Sequence, residues 1–246
     1  MIEINNLVKR HGTRNVVDDL SFAARPGRVT GFLGPNGAGK SSTLRILLGL
    51  DKATSGAALI NGTTYRGMRN PLLTVGAMLD GPGANKGRTV KAHLTWIAQS
   101  NGIATSRIDE VLSMTGMMDA RRTKIGGLSL GMGQRLGIAA ANLGDPEILV
   151  LDEPTNGLDP DGIRWMRRFL RLLAEQGKTV LVSSHLMGEM EETADDFVVI
   201  ARGCLVAQGT RDEVHGKHGS LESAFFALTE GQAEYRSGRI AGGDLT

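Results

Sequence analysis

The stretch "GPNGAGKSS" (Gly34–Ser42) decides the fold of this chain. It matches the pattern G-x-x-x-x-G-K-[ST], and it lies between a strand candidate, "VTGFLG" (Val29–Gly34), and a helix candidate, "SSTLRILLGL" (Ser41–Leu50). A strand, a glycine-rich turn and a helix in this order are typical of a phosphate-binding loop. The stretch therefore predicts an α/β nucleotide-binding protein, and a plain glycine-rich turn is the much weaker interpretation.

Each residue type in this loop has a chemical reason. Glycine lets the backbone adopt positive φ and come close to a bound anion, and successive N–H groups then point inward. The N-terminus of the following helix adds partial positive charge, a lysine reaches the β- and γ-phosphates, and a hydroxyl can ligate Mg²⁺. The candidate binding residues are Gly34, Pro35, Asn36, Gly37, Ala38, Gly39, Lys40, Ser41 and Ser42, with Ser41 also a metal ligand.

Two acidic residues supply the second half of the expected site. "EILVLDEP" (Glu147–Pro154) is an apolar run that ends in acids, which is the pattern of a strand buried on both faces. Asp152 is predicted to hold Mg²⁺ through water, and Glu153 to orient and deprotonate the attacking water. His185 follows the next apolar run, at the level where ligands lie in such sheets. A single histidine there is more often structural, but beside this loop and these acids we interpret it as a γ-phosphate sensor.

Length and composition narrow the function classes. The 246 residues suit one large α/β domain or two small ones, and the formal net charge of +2 is too small to argue for nucleic acid. The single cysteine excludes an internal disulfide and favours a reducing compartment. The N-terminal residues do not form a signal peptide, and no run approaches the roughly 18 to 20 apolar residues that cross a bilayer. We therefore expect a soluble chain, with any membrane-spanning part supplied by another polypeptide.

Short β-rich runs alternate with longer helical patterns, which predicts a largely parallel sheet flanked by helices. Residues 84–143 are mainly helical and predict a helical insert. The stretch "FVVIARGCLVAQG" (Phe197–Gly209) predicts a hairpin that turns at Arg202 and Gly203. Residues 229–246 lose periodicity and predict a mobile C-terminal tail.

Four segments together resemble one family. "GPNGAGKS", "LSLGMGQRL" (Leu128–Leu136), "ILVLDEPTNGLDP" (Ile148–Pro160) and "LVSSH" (Leu181–His185) occur in the order and approximate spacing of ATP-binding cassette (ABC) ATPases. The resemblance covers residues 2 to about 228. It implies an ABC-type domain over 1–228, with a P-loop NTPase core, a mainly parallel sheet, an antiparallel β subdomain and a helical subdomain. It also implies ATP hydrolysis with Mg²⁺ as cofactor.

In that family two subunits bind ATP at their shared interface, so the resemblance implies a second ATP-binding subunit, here a homodimer. Ser129 and the Gly131 backbone N–H would contact the γ-phosphate bound by the other subunit, at the start of a helix beginning near Met132. Asp159, in "NGLDP", would lie in the loop that couples the two sites. We call residues 128–136 the signature segment.

Several positions depart from the usual family pattern. Leu130 and Met132 replace the first Gly and the Gln of the common LSGGQ signature. His11 stands where an aromatic ring usually stacks on adenine, which implies a weaker contact with the base. Asp80 aligns with the Gln that usually links Mg²⁺ to the transporter-facing loop, and it is therefore a candidate metal ligand.

These departures resemble one branch, the ATP-binding subunits of bacterial drug and peptide-antibiotic exporters of the daunorubicin- and bacitracin-resistance type. The resemblance implies a protein on the cytoplasmic face of the cell membrane that powers a separate multispanning permease, exporting a drug, antibiotic or lipid-like compound. Residues 80–100 are the candidate docking surface, and we interpret Trp96 within them as a core residue. Two alternatives remain: a soluble ATPase acting on nucleic acid or ribosomes, which the charge disfavours, and a regulatory module without turnover.

Overall fold

The protein is described by a computed structural model over residues 1–79, 83–216 and 218–229. An antiparallel sheet in the order β2-β1-β4 is formed by β1 (Ile2–His11), β2 (Arg14–Ala24) and β4 (Ser55–Ile60). Ile2 of β1 pairs with Ala24 on one side and with Ile60 on the other. This is the antiparallel β subdomain that the resemblance implied.

A second sheet of six strands has the order β5-β6-β7-β3-β8-β9. Five of these strands run parallel, and β9 pairs antiparallel with β8. The strands are β3 (Arg28–Leu33), β5 (Val75–Met78), β6 (Ile148–Asp152), β7 (Thr179–Ser184), β8 (Asp196–Ala201) and β9 (Cys204–Thr210). Every residue of β6 and β7 is buried, because central parallel strands are covered on both faces.

Helices cover this sheet and form the segment between β5 and β6. They are α1 (Lys40–Leu47), α2 (Pro71–Thr74), α3 (Val90–Ser100), α4 (Arg107–Met114), α5 (Leu130–Ala141), α6 (Pro160–Glu175), α7 (Met187–Glu191), α8 (Arg211–His215) and α9 (Leu221–Thr229). Within the described residues, none of these helices has both the length and the apolar character that a bilayer crossing requires.

Three apolar clusters hold the layers together. One joins α1 to both sheets, and in it the rings of Phe22 and Phe32 lie 5.0 Å apart. A second packs α6 against the six-stranded sheet through residues such as Phe169. The third lies among α3, α4 and α5 around Leu94 and Leu136. The helical segment thus has apolar packing of its own, while the boundaries 84–143 and 1–228 stay predictions.

The structure confirms the predicted hairpin and corrects two other local predictions. The hairpin turns at Arg202 and Gly203 as predicted, with φ of 52° and 84°. Helix α5 begins at Leu130, two residues earlier than expected, because the Ser129 hydroxyl accepts a hydrogen bond from the Met132 N–H at 3.2 Å and caps it there. The interpretation of Trp96 as core was wrong, since its side chain is 54% exposed. The predicted tail lies, from residue 230 onward, outside the described residues.

Candidate functional site

The phosphate loop connects the carboxyl end of β3 to α1. Gly37 and Gly39 have φ of 81° and 108°, so both need the freedom of glycine. A Cβ on Gly39 would lie 2.5 Å from the carbonyl oxygen of Val16, so the space also excludes a side chain. Gly34 is not in this backbone region; a Cβ there would meet the Ile200 carbonyl oxygen at 2.4 Å, and close packing is the reason for that glycine.

Lys40 is buried at the start of α1, inside the loop. Its Nζ donates to the carbonyl oxygen of Gly34 at 2.6 Å and to that of Pro35 at 3.4 Å. It also lies 3.3 Å from Glu153 Oε1. The ammonium group is therefore held where the phosphate loop and the end of β6 meet.

Asp152 ends β6 with its carboxylate fixed by two hydroxyl groups. The Ser41 hydroxyl donates to Oδ2 at 2.9 Å, and the Ser183 hydroxyl donates to Oδ1. Ser183 is fully buried on β7, so this second donor has no access to water. The Ser41 and Asp152 oxygens are the hard ligands that Mg²⁺ prefers, so the residues present fit a magnesium ion.

Glu153 follows in a backbone conformation with φ of 47°, which typically costs a non-glycine residue about 1–3 kcal/mol. Its N–H donates to the carbonyl and hydroxyl oxygens of Ser183, at 3.2 and 3.1 Å, which hold it in place. One carboxylate oxygen lies near Lys40, and the other lies 2.8 Å from His185 Nδ1. The predicted base, cation and sensor are thus in direct contact.

Lys40, Ser41, Asp152 and Glu153, but not His185, line a cavity of about 580 Å³. It is lined by Val16, Pro35, Asn36, Gly37, Gly39, Lys40, Ser41, Ser42, Leu130, Gln134, Asp152, Glu153 and Asn156. We call this cavity the nucleotide cleft. Sequence reasoning did not identify Val16, Gln134 and Asn156 as part of it, nor Ser183 beneath it, because no motif pattern marks an apolar, amide or buried hydroxyl residue as a ligand or a support.

The remaining candidates within the described residues do not line the cleft. His11 is exposed at the end of β1, paired with Arg14, and Val16 rather than His11 lines the cleft. Ser129 is exposed at the N-terminus of α5, with Gly131 in its first turn. Asp159 caps α6, where its carboxylate accepts the Gly162 N–H at 2.7 Å. Ala38 is buried within the loop, and Asp80 lies outside the described residues.

Comparisons with known proteins show the family of this chain. The sequence model of the family described as "ABC transporter" matches residues 17–156. The Bacitracin transport ATP-binding protein BcrA of Bacillus licheniformis is 42% identical over 211 residues, which cover 85% of this chain and 69% of that protein. The Lantibiotic transport ATP-binding protein SrtF of Streptococcus pyogenes is 34% identical, over 86% of this chain and 92% of that protein. A solved structure of the ATP-binding subunit of an ABC transporter superposes with a TM-score of 0.85 and 27% identity, covering 94% of this chain and all of that one.

Proposed function

The chain belongs to the ABC transporter family as an ATP-binding subunit with ATPase activity, and we propose that it powers export of a drug or antibiotic through a separate membrane permease. The observation that carries the proposal is the nucleotide cleft in which Lys40, Asp152 and Glu153 meet. A cation, a metal-binding carboxylate and a base beside a phosphate loop are the parts that phosphoryl transfer to water needs.

In the proposed mechanism the loop N–H groups and Lys40 bind the phosphates of ATP. Ser41 and Asp152 would hold Mg²⁺, which when bound would offset negative charge on the phosphates. Glu153 accepts a proton from the water whose oxygen attacks the γ-phosphorus. The bond from that phosphorus to the bridging oxygen breaks, and ADP leaves with the electron pair. His185 keeps the carboxylate of Glu153 oriented through the contact of 2.8 Å.

The signature segment is proposed to serve the cleft of a second copy of this chain. Leu130 and Gln134 of this segment line the cleft of their own chain, whereas Ser129 and Gly131 do not. Ser129 is exposed at the N-terminus of a twelve-residue helix. Such a terminus attracts anions through its free N–H groups and its partial positive charge. A symmetric dimer would place each signature segment at the ATP bound by the other chain, with His11 near the base and Asp159 between the two sites.

Transport and export are supported by the relatives. The names of the two relatives are those of bacitracin and lantibiotic transport subunits. They favour a permease partner, and a position on the cytoplasmic face of the membrane, over an ATPase that acts on nucleic acid or ribosomes. The net charge of +2 agrees, because a nucleic-acid-binding surface is usually strongly basic.

The variant Glu153→Gln tests the catalytic part of the proposal. Removing the base should lower ATP turnover roughly 100-fold or more. The uncharged amide should leave ATP bound, so size-exclusion chromatography with ATP and Mg²⁺ should show a dimer that persists. Lys40→Ala is the matched control and should neither bind ATP tightly nor dimerise. Wild-type turnover equal to that of Lys40→Ala would favour a regulatory module, and a Glu153→Gln protein that stays monomeric with ATP would contradict the shared site.

Affinity purification of the chain from detergent-solubilised membranes tests whether it binds a membrane permease. We expect a multispanning membrane protein to co-purify and to raise ATP turnover. Recovery of RNA or ribosomal proteins in its place would support the alternative class. Resistance to bacitracin that requires both proteins, and that is lost with Lys40→Ala, would identify export of such a peptide.

A further inference from the structure

Leu130 is an exposed leucine at the first position of α5, and its side chain packs on the loop that follows Glu153. The side chain is 65% exposed, yet its Cδ2 lies 2.0 Å, and its Cγ 2.7 Å, from the position that a Cβ on Gly157 would take. Gly157 has φ of +76°. The leucine therefore occupies the space that the missing side chain of Gly157 leaves.

A second contact lies one helical turn further along α5. Gln134 Nε2 donates to the carbonyl oxygen of Asn156 at 3.2 Å. Residues four apart in a helix share one face, so Leu130 and Gln134 approach the same turn, residues 156–158. The Asn156 N–H in turn donates to the carbonyl oxygen of Glu153 at 3.2 Å. Two contacts thus join the N-terminal part of α5 to the 156–158 turn, and a backbone hydrogen bond joins that turn to Glu153 of the same chain.

We infer that Leu130 is a positioning residue that couples the signature segment to Glu153 within one chain. The inference rests on the proposed function, because Ser129 and Gly131 must meet the partner's ATP for the coupling to matter. When the N-terminus of α5 moves onto that ATP, Leu130 and Gln134 carry the 156–158 turn with it, and Glu153 moves relative to the ATP of its own chain. Each ATP then influences hydrolysis of the other.

The chemistry of leucine favours this role over a direct role in binding phosphate. A leucine side chain has no donor to offer an anion, and leaving it 65% exposed forgoes most of the benefit of burying it. Its packing on Gly157 is specific in shape, since any side chain at that glycine would collide with it. Leu130→Ala would remove Cγ and Cδ2 and keep a Cβ that lies 3.6 Å from the place that a Cβ on Gly157 would take. Because the site is exposed, the fold should survive this change.

A double-mutant cycle on the full chain tests the contact. Gly157→Ala should lower the unfolding temperature and ATP turnover in the wild-type background, because the new methyl group collides with Leu130. In the Leu130→Ala background the collision is gone. The fold-decrease in ATP turnover caused by Gly157→Ala should therefore be roughly fivefold or more smaller there than in the wild-type background. Strain from the positive φ is present in both backgrounds and cancels. Strictly additive losses in both measurements would overturn the contact.

The coupling is tested by the dependence of turnover on ATP concentration. Wild-type protein should show a Hill coefficient above one, and Leu130→Ala should bring it to about one while the unfolding temperature stays within a few degrees, as for other exposed sites. Leu130→Met keeps the apolar volume and should restore the wild-type coefficient. Leu172→Ala, which truncates a 46% exposed leucine on α6, is the matched control and should leave it unchanged.

The outcomes separate the two claims. Wild-type turnover no higher than that of Lys40→Ala would contradict both the proposed function and this inference. If wild-type turnover shows a Hill coefficient above one and Leu130→Ala leaves that coefficient unchanged, the inference is contradicted and the proposed function is not. A wild-type coefficient of one would also end it, because no coupling between the sites would then exist.

Discussion

Ser183 shows how one buried hydroxyl can organise the nucleotide cleft. It donates to Asp152 Oδ1, and its oxygen accepts the Glu153 N–H at 3.1 Å, so it touches both acidic residues from beneath. Its side chain is fully buried, and a lost partner there cannot be replaced by bulk water. The orientation of the carboxylate that we assign to Mg²⁺ therefore depends on a residue that does not itself line the cleft.

We expect Ser183→Ala to lower ATP turnover roughly 10- to 100-fold and to weaken the dependence on Mg²⁺, as the loss of a group that supports a metal ligand does. The free energy of unfolding should fall by about 1–3 kcal/mol, since Asp152 loses a buried donor. Steady-state kinetics at varied Mg²⁺ concentrations and denaturant unfolding measure the two effects.

Thr30→Val is the matched control for this prediction. Thr30 is equally buried on the neighbouring strand β3, but within the described residues its hydroxyl has no hydrogen-bond partner. Replacing it with the isosteric valine should leave stability unchanged or raised, and turnover unchanged. Equal losses in the two variants would show that any buried hydroxyl in this sheet matters, and that Ser183 has no special role.

Residue patterns predicted the charged groups of the site better than the buried residues that position them. Lys40, Asp152 and Glu153 were predicted because a charged group in a glycine-rich turn or at the end of a buried strand has few structural reasons to be there. His185 was predicted only because it follows a strand of the same sheet, beside that loop and those acids. Ser183 looked like any small residue of a buried strand. Its role depends on register, since Asp152 on β6 pairs with Ser183 on β7, and single-sequence patterns do not reveal register.

At the scale of elements, helix α3 contains a buried histidine with unusual surroundings. His93 is 5% exposed, and within the described part of the chain neither ring nitrogen has a hydrogen-bond partner. Burial, and to a smaller extent the positive charge of Arg88, lower its pKa from the ordinary 6.5. The folded helical segment therefore accepts the neutral ring and disfavours the charged one.

The sign of the pH effect follows from this shift. Above pH 6.5 the ring is neutral in the folded and the unfolded chain, so stability does not depend on it. As the pH falls below 6.5, the unfolded chain takes up a proton that the folded chain resists, and the free energy of unfolding decreases. We expect His93→Leu to lose less stability than the wild type between pH 7.5 and pH 5, as thermal unfolding at several pH values would show.

His11→Leu is the matched control, because His11 is exposed at the end of β1. The free energy of unfolding of the His11→Leu variant should decrease as steeply as that of the wild type when the pH is lowered from 7.5 to 5. If His93→Leu is equally sensitive to acid, the buried ring is not the group responsible.

The elements themselves were largely predictable, and the exceptions have local causes. Apolar runs predicted β6, β7 and the β8–β9 hairpin, because buried parallel strands and tight turns have strong composition signals. The start of α5 was predicted near Met132, two residues after the observed start at Leu130. The Ser129 cap decided the boundary, and capping depends on backbone geometry that the sequence indicates only within a few residues.

At the scale of the whole molecule, the fold leaves a large aromatic ring exposed on the helical segment, outside the nucleotide cleft. Trp96 is 54% exposed on α3, and the guanidinium group of Arg88 lies 4.9 Å from the centre of its ring. The ring lines a groove of about 460 Å³, together with residues that include Gln99 and Arg121. Periodicity placed Trp96 on a helix but could not tell which helix face the neighbouring helices cover.

An exposed tryptophan next to arginine has the composition of an interface anchor, and residues 80–100 are our candidate docking surface for the permease. We expect Trp96→Ala to weaken binding to the membrane protein that co-purifies with the chain by about 2 kcal/mol, or roughly 30-fold. ATP turnover of the isolated chain should stay unchanged, since the ring does not line the nucleotide cleft. Stimulation of turnover by the partner should therefore be the quantity that falls.

Leu50→Ala provides the control, because Leu50 has the same 54% exposure and lies beyond α1, outside the helical segment. If exposure alone governed the effect, both variants would lose stimulation to a similar degree, and the docking surface would have to be sought elsewhere. If only Trp96→Ala loses stimulation while both variants keep the turnover of the isolated chain, the helical segment carries the partner's signal to the cleft. That result would show that contact of the membrane protein with the exposed ring of Trp96 stimulates ATP turnover.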